Sequence, residues 1–190
     1  PTAMPDRAAS ERAMALLAKA REEMDSLGGC MECRITGMPA GIGDPVFEKL
    51  DANLAKAMMS IGAVKAVEIG DGILAARHKG SENNDGFRMC EGKVVKVTNH
   101  AGGILGGMSD GSTILVRAHV KPTPSIFQTQ QTVDENGREL ELQIKGRHDP
   151  VIVPRAVVVM EAMAGLTILD AMMLNMSAKV DSLKDFYQTR

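Results

Sequence analysis

The spacing of apolar positions near the N-terminus predicts a helix followed by an extended segment. Between residues 7 and 24, alanine, leucine and methionine recur every three to four positions among charged residues, which is typical of an amphipathic helix. Gly28 and Gly29 follow, and we expect them to end it. Residues 30–38 then predict an extended segment that leads into a loop rich in proline and glycine.

A second helix is predicted to begin at Asp44. An aspartate is a preferred N-cap, and Pro45 suits the first helical position because its missing N–H needs no partner there. An apolar stripe at helical spacing follows, formed by Val46, Leu50, Leu54, Met58 and Ile61.

Three later segments predict strands. Residues 64–69 are rich in β-branched side chains and end at a Gly-Asp-Gly turn. In residues 113–120, one face is formed by Ile114, Val116, Ala118 and Val120, and the other by Thr113, Leu115, Arg117 and His119. Residues 139–145 alternate in the same manner after a turn at Asp134–Gly137. We expect both alternating segments to be half-buried in an antiparallel sheet. Residues 78–93 predict an exposed loop.

The last predicted element is a long apolar helix over about residues 155–176. Methionine and leucine lie on more than one of its faces, which predicts burial between layers or between subunits. The same region contains Pro154, Arg155, Glu161 and Asp170, which a bilayer tolerates poorly, so no membrane partner is expected.

Composition narrows the class of protein. With 190 residues, 44% apolar and 24% charged, the sequence predicts one globular domain over residues 1–190. Its formal net charge of −2 gives no support for a nucleic-acid partner. Three cysteines and the lack of a signal-peptide pattern favour a reducing compartment, so we expect a cytoplasmic protein.

The densest unusual feature is a glycine cluster. Five glycines lie within residues 102–111. Such a backbone admits positive φ and lets a flat or phosphorylated ligand approach its N–H groups, but tight turns or close packing require the same residues. Neither dinucleotide nor P-loop fingerprints occur in the chain.

Two short segments offer charged groups beside stiff turns. Lys121 to Ser125 place a lysine and hydroxyls on a proline-stiffened turn, suited to a phosphate or a ring carbonyl, although a strand terminator with a solvated lysine explains them too. Arg147 to Pro150 place an anion-binding arginine and an aspartate next to the apolar helix. Asp149 can serve proton transfer there, or it can cap the following turn and pair with Arg147.

The sequence gives little indication of a metal site. Cys30 and Cys33 have the spacing of a metal or redox pair, but no second pair accompanies them, and they lie in a predicted extended segment. His78 and His119 stand alone in the sequence, and we expect them at the surface and on a sheet face. We therefore expect no metal site.

Taken in order along the chain, seven segments resemble the C-terminal half of the chorismate synthase family. They are residues 25–29 (DSLGG), 41–47 (GIGDPVF), 59–72 (MSIGAVKAVEIGDG), 99–111 (NHAGGILGGMSDG), 121–125 (KPTPS), 146–150 (GRHDP) and 154–163 (PRAVVVMEAM). The resemblance covers nearly the whole chain, and the ordered series is more specific than any single segment.

The resemblance implies a fold and a reaction. The fold is of the α+β class, a β-α-β sandwich with helices between antiparallel sheets, assembled as a homotetramer. The reaction is the anti-1,4-elimination of phosphate from 5-enolpyruvylshikimate 3-phosphate, which gives chorismate at the end of the shikimate pathway. Reduced FMN is required but not consumed. Whether the protein reduces its own flavin with NADP or receives it reduced stays open.

Matching positions carry the family's site residues onto this sequence. The resemblance assigns to Asp149 a role in proton transfer at the flavin. It assigns FMN contacts to Gly62, Ala63, Gly106, Lys121, Pro122, Thr123, Pro124, Ser125 and Arg147.

The resemblance also marks what this sequence does not contain. The Gly-Glu-Ser-His-Gly and Arg-Ser-Ser-Ala-Arg-Glu motifs of the family's N-terminal half do not occur in it, and neither His100 nor His148 matches the family's catalytic histidines. We therefore expect a segment of a lyase that is inactive on its own. The alternatives are a non-catalytic assembly module that binds no flavin, and a cysteine-based metal module.

Overall fold

The structure of the protein is a computed structural model that describes residues 2–146 and 148–188. In chain order its helices are α1 (Arg7–Glu22), α2 (Leu50–Met59), α3 (Gly80–Asn83), α4 (Val153–Asn175) and α5 (Val180–Gln188), with a 3-10 helix at Gly72–Arg77. The strands are β1 (Gly29–Ile35), β2 (Val64–Ile69), β3 (Phe87–Cys90), β4 (Lys93–Lys96), β5 (Ile104–Leu105), β6 (Met108–Ser109), β7 (Ile114–Val120), β8 (Gln130–Val133) and β9 (Glu139–Leu142).

The main sheet has three antiparallel strands in the order β1-β7-β2. Gly29 lies opposite Val120 on one side of β7, and Val64 lies opposite the same residue on the other side. The predicted alternation of β7 is confirmed, because all four residues of its apolar face are buried. That face is formed by Ile114, Val116, Ala118 and Val120.

Helices α2 and α4 cover the buried face of this sheet. Leu50, Leu54 and Met58 of α2 are fully buried. They recur at helical spacing, so they lie on one face of the helix, and this face packs against the sheet. Met160 and Ala164 of α4 are buried against the same core, one turn apart. The α+β class is therefore confirmed, with one antiparallel sheet and one helix layer in contact.

The far side of α4 is not covered by the described residues. Val158 is 68% exposed and Leu166 61% exposed, while Met160 is 1% exposed. The helix is thus buried on one face only, and the expected second layer of the sandwich is not present within residues 2–146 and 148–188. By length and composition α4 would also qualify as a membrane span, a test that core helices of soluble proteins pass as well.

The predicted start of the second helix is wrong. Helix α2 begins at Leu50 rather than Asp44, and its N-cap, Lys49, makes no side-chain capping hydrogen bond. Phe47 adopts a φ of +59°, which interrupts helical backbone before that point. The N–H of Leu50 donates to the Gly107 carbonyl at 2.8 Å, so a distant loop determines where the helix starts.

The predicted burial of the segment 139–145 is also wrong. The turn at Asp134–Gly137 is confirmed, but β8 and β9 form a separate two-stranded hairpin, and every residue of β9 is exposed. Alternation of apolar and polar residues predicts a strand with one apolar face, but it does not predict which element packs against that face. Residues 78–93 are mostly exposed as expected, although they contain α3 and β3, which were predicted as loop.

Candidate functional site

The sheet brings the two predicted flavin-contacting segments together at one edge. Strand β7 ends at Val120, and the next N–H, that of Lys121, donates to the Ala63 carbonyl at 2.9 Å. Gly62 and Ala63 immediately precede β2, so they lie beside the turn formed by Lys121–Ser125. Ala63 has a φ of +71°, which is costly for a residue with a Cβ and is typical of a position held for function.

The loop between α1 and β1 holds that turn in place. The hydroxyl of Ser26, which is 8% exposed, donates to the Thr123 carbonyl at 2.6 Å. The N–H of Phe127 donates to the Met24 carbonyl at 3.2 Å. A Cβ on Gly28 would lie 2.5 Å from the Val120 carbonyl oxygen, so the backbones touch there. This support was missed by residue-level reasoning, since hydrogen bonds spanning a hundred residues leave no local signal.

Asp149 reaches the same end of the sheet. The N–H of Leu27 donates to the Pro150 carbonyl at 2.8 Å and ties the segment to the α1–β1 loop. Asp149 and Ser125 line a common cavity of about 170 Å³. The other residues lining it are Arg21, Met24, Asp25, Ser26, Ile126, Phe127, His148 and Pro150.

The carboxylate of Asp149 pairs with a residue of α4. Its Oδ2 accepts a hydrogen bond from Arg155 Nη1 at 2.6 Å. The capping alternative is wrong for α4, because the N-cap of that helix is Ile152 and makes no side-chain hydrogen bond. Arg147, the other predicted partner and a predicted flavin contact, lies outside the described residues.

Two buried polar atoms at this site lack partners. Thr123 Oγ1 and His148 Nε2 have no hydrogen bond within the part of the chain that the structure describes. Leaving such a group buried and unsatisfied costs about 1 to 3 kcal/mol, so native proteins rarely do it without a reason. The ring of His148 packs edge-on against Phe127, with centroids 5.1 Å apart. The two atoms are therefore candidate partners for a polar ligand.

Gly106 lies away from this cluster. It forms the turn between β5 and β6, and the adjacent Gly107 carbonyl binds the first residue of α2, whereas Gly62 follows the last turn of that helix. A helix of 10 residues spans about 15 Å, so α2 separates the two glycines. Gly106 is exposed, and a Cβ on it would meet open space.

Other glycines of the 102–111 cluster serve tight packing instead. Gly102 has a φ of +65°, and a Cβ on it would collide with the Gly70 backbone. Gly103 has a φ of +79°, and a Cβ there would lie 2.6 Å from the Thr113 carbonyl oxygen. Of the two interpretations, tight turns therefore explain Gly102 and Gly103, and open space for a ligand is confined to Gly106 among these three.

The cysteine pair is not arranged as a metal or redox site. Cys30 and Cys33 are three residues apart on β1, which directs their side chains to opposite faces of the sheet. Burial raises the pKa of both thiols, and a nearby Arg117 only partly opposes this at Cys30. A raised pKa disfavours the thiolate that metal binding and redox exchange require.

His78 lies at the surface and His119 on a sheet face, as expected, but each has a carboxylate neighbour in the fold. His119 Nε2 lies 3.1 Å from Glu68 Oε2. His78 lies 3.6 Å from Asp71 through its Nδ1, and the same carboxylate oxygen is 2.6 Å from His100 Nδ1. Asp71 and His78 flank the same 3-10 helix, but Glu68 and His119 lie on different strands and His100 lies on a later loop, so the fold is needed to bring these residues together.

Known proteins match this chain over most of its length. The family model for chorismate synthase matches residues 1–173. The chorismate synthase of Agathobacter rectalis is 59% identical over 185 residues, which make up 97% of this chain and 50% of that protein. The chorismate synthase of Methanosarcina barkeri is 56% identical over 174 residues, covering 91% of this chain and 48% of that protein.

A solved structure agrees with the sequence matches. A crystal structure described as that of chorismate synthase aligns with a TM-score of 0.72 at 31% identity, covering 94% of this chain and 47% of that chain. The chain therefore spans about half the length of the relatives it matches. Since the family model covers most of the sequence and the fold agrees, the chain belongs to the chorismate synthase family.

Proposed function

We propose that this chain supplies the flavin-contacting part of a chorismate synthase. The complete enzyme would eliminate phosphate from 5-enolpyruvylshikimate 3-phosphate in the anti-1,4 sense and release chorismate, as a carbon–oxygen lyase that needs reduced FMN. One observation carries the proposal. Ala63, the Lys121–Ser125 turn and Asp149 come from three distant stretches of sequence and meet at one end of the sheet.

The groups at this end suit the chemistry of FMN. The flavin offers an anionic phosphate and a flat ring with hydrogen-bonding edges. Lys121 is exposed and brings a cation, and Thr123 Oγ1 and His148 Nε2 are polar atoms in need of partners. We assign the flavin to the Lys121–Ser125 turn, with Gly62 and Ala63 beside it. We also assign FMN contacts to Gly106 and Arg147, and this part of the assignment depends on the family resemblance alone.

Asp149 is the residue we assign to proton transfer. When bound, reduced FMN would supply transient electron density as phosphate leaves the substrate. Asp149 Oδ2 accepts a hydrogen bond from Arg155 at 2.6 Å, which directs the carboxylate at the edge of the cavity. From there a carboxylate can accept or return a proton, provided the reacting group comes within hydrogen-bond reach.

Turnover is expected to need residues that this sequence does not contain. By the family resemblance, the catalytic histidines and the groups that bind the substrate phosphate belong to the N-terminal half. We therefore place this chain within a larger cytoplasmic enzyme, assembled as a homotetramer. The exposed apolar side of α4 supports such burial against further protein.

The decisive experiment is an anaerobic assay of chorismate formation with photoreduced FMN. The chain is combined with a polypeptide carrying the N-terminal half of a chorismate synthase, and Asp149→Asn is compared with wild type. We expect turnover to fall at least about 100-fold, the lower bound for losing a general acid or base. Flavin affinity, followed by fluorescence quenching, should change little.

A matched control is the substitution Asp181→Asn on α5. The Asp181 side chain is 90% exposed, and the residue lies far along the sequence from those that line the cavity. This variant should retain full turnover. Normal turnover by Asp149→Asn would remove Asp149 from the mechanism. Unquenched flavin fluorescence with the wild-type chain, with its other half present, would favour the non-catalytic module instead.

A further inference from the structure

We infer that Asp71, His78 and His100 form a binding site for a divalent transition-metal ion, of which Zn²⁺ fits the ligand set. Two imidazole nitrogens and a carboxylate oxygen lie within 4.8 Å of one another. Two histidines with one carboxylate are a ligand set that open zinc sites use, with water in the remaining position. None of the three residues belongs to the assigned flavin contacts.

The backbone holds two of the ligands in place. Asp71 lies two residues beyond the end of β2, and its N–H donates to the His100 carbonyl at 2.8 Å. The N–H of His100 donates in turn to Asp85 Oδ1 at 2.8 Å, and Asp85 is anchored by a buried ion pair with Lys96. The carboxylate and the imidazole are therefore presented to each other by fixed elements rather than by mobile side chains alone.

The third ligand approaches from the 3-10 helix. His78 caps that helix, and its N–H donates to the Ala75 carbonyl at 3.2 Å. Its Nδ1 lies 3.6 Å from Asp71 Oδ2, too far for a hydrogen bond but directed at the oxygen that His100 contacts. The two imidazole rings stand edge-on, with centroids 6.1 Å apart. One cation between the three groups would explain why both rings face one carboxylate.

Binding requires only local adjustment. Ligand atoms that each lie about 2.0 to 2.2 Å from Zn²⁺ must separate beyond hydrogen-bond distance. The 2.6 Å contact between His100 and Asp71 would therefore open as the ion enters. The three side chains are 26% to 35% exposed, so they can rotate without disturbing the core, and water can complete the coordination.

The site is remote from the flavin-contacting end. Asp71 lies just beyond the C-terminal end of β2, whereas Ala63 precedes its first residue, and a strand of 6 residues spans about 20 Å. Metal binding can therefore be measured without flavin or turnover. A bound ion would join the 3-10 helix to the glycine-rich loop, residues 99–111, through Asp71, and so stabilise both segments.

The test is calorimetric titration of the metal-free, tag-free chain with ZnCl₂. We expect one Zn²⁺ per chain, and at least about tenfold weaker binding in both His78→Gln and His100→Gln, because even outer partners of metal ligands cost 10- to 100-fold when lost. His119→Gln is the matched control, since that histidine pairs with Glu68 instead. Circular dichroism of each variant verifies the fold, and the exposed His78 variant decides the outcome alone if His100→Gln unfolds.

A second probe separates this site from the cysteines. Co²⁺ bound by nitrogen and oxygen should show visible absorption without the near-ultraviolet thiolate band, and a Cys30→Ser, Cys33→Ser double variant should bind Zn²⁺ as wild type does. The inference is overturned if the chain binds no Zn²⁺, if His78→Gln binds it unchanged, or if the cysteine variant loses it.

Discussion

At the scale of single residues, Ser26 is the clearest support of the candidate flavin site. Its hydroxyl is buried and donates to the Thr123 carbonyl, which lies in the middle of the Lys121–Ser125 turn. The contact joins the α1–β1 loop to a segment nearly a hundred residues later. Ser26 touches no assigned reacting atom, so we regard it as a positioning residue.

We predict that Ser26→Ala lowers the free energy of unfolding and weakens FMN binding. Losing one buried hydrogen bond costs about 0.5 to 1.5 kcal/mol, and the freed turn would no longer present Lys121 and Thr123 in one geometry. Urea denaturation measures the first effect and fluorescence quenching, with the N-terminal half present, the second. Ser177→Ala serves as the control, because its hydroxyl donates to Leu174 at an exposed helix end. Equal flavin affinity in both variants would contradict the positioning role.

At the scale of elements, a buried ion cluster joins the β3–β4 hairpin to the glycine-rich loop. Lys96 Nζ lies 2.8 Å from both Asp85 and Asp110, and the three side chains are 3%, 4% and 8% exposed. Burial alone would raise the pKa of the Asp85 carboxyl. Hydrogen bonds from Lys96, Thr98 and two backbone N–H groups outweigh that effect and hold this pKa far below its usual range.

We predict that Lys96→Met destabilises the chain by about 3 to 5 kcal/mol at neutral pH, because it leaves two buried carboxylates without their cation. The urea midpoint should fall accordingly. Lys93→Met, at an exposed position of the same hairpin, should change the midpoint little. Equal midpoints for the two variants would show that the cluster contributes no stability.

The difference in stability between the wild type and Lys96→Met should depend on pH. In the wild type the lowered pKa of Asp85 contributes stability that is present above the unfolded value of about 3.9 and is lost as the pH falls through the folded value. In Lys96→Met the carboxylates are buried without a cation, so protonation relieves them. The stability gap between wild type and variant should therefore narrow from pH 7 to pH 4, and a constant gap would contradict this account.

Sequence patterns predicted those elements whose signal is local. The alternation of β7 and the apolar stripe of α2 from Leu50 to Met58 were predicted correctly, because burial of one face imposes its own period. The start of α2 and the exposure of β9 were not predicted, since the first depends on a hydrogen bond from the Leu50 N–H to the Gly107 carbonyl and the second on the lack of a packing partner among the described residues. The buried Lys96 looked like any other charged residue of a polar segment.

The same limit applies to the candidate sites. Lys121–Ser125 and Asp149 were identified from stiff turns and family resemblance, and the fold brings them together. The trio at Asp71 was missed, because His78 and His100 lie on different elements and only the end of β2 joins them. Spacing along the chain reveals metal ligands when all of them share one helix or loop, and His100 lies outside the 3-10 helix that Asp71 and His78 flank.

At the scale of the whole molecule, the two sides of α4 differ sharply. Met160 faces the core and is 1% exposed, while Val158 and Leu166 face outward and are more than half exposed. Contiguous apolar surface of this kind marks interaction sites in folded proteins. We therefore expect the isolated chain to associate with itself through this side of the helix.

We predict that sedimentation velocity of the chain shows concentration-dependent association that a Val158→Gln, Leu166→Gln double variant abolishes. Polar side chains at two exposed positions remove apolar area from the contact without opening a cavity in the core, so the free energy of unfolding should change by no more than about 0.5 kcal/mol per site. Met160→Gln is the contrasting variant: it buries an unpaired amide and should lower the midpoint strongly. If the double variant still associates like the wild type, the outer side of α4 is not the contact surface, and the exposed hairpin β8–β9 becomes the next surface to test.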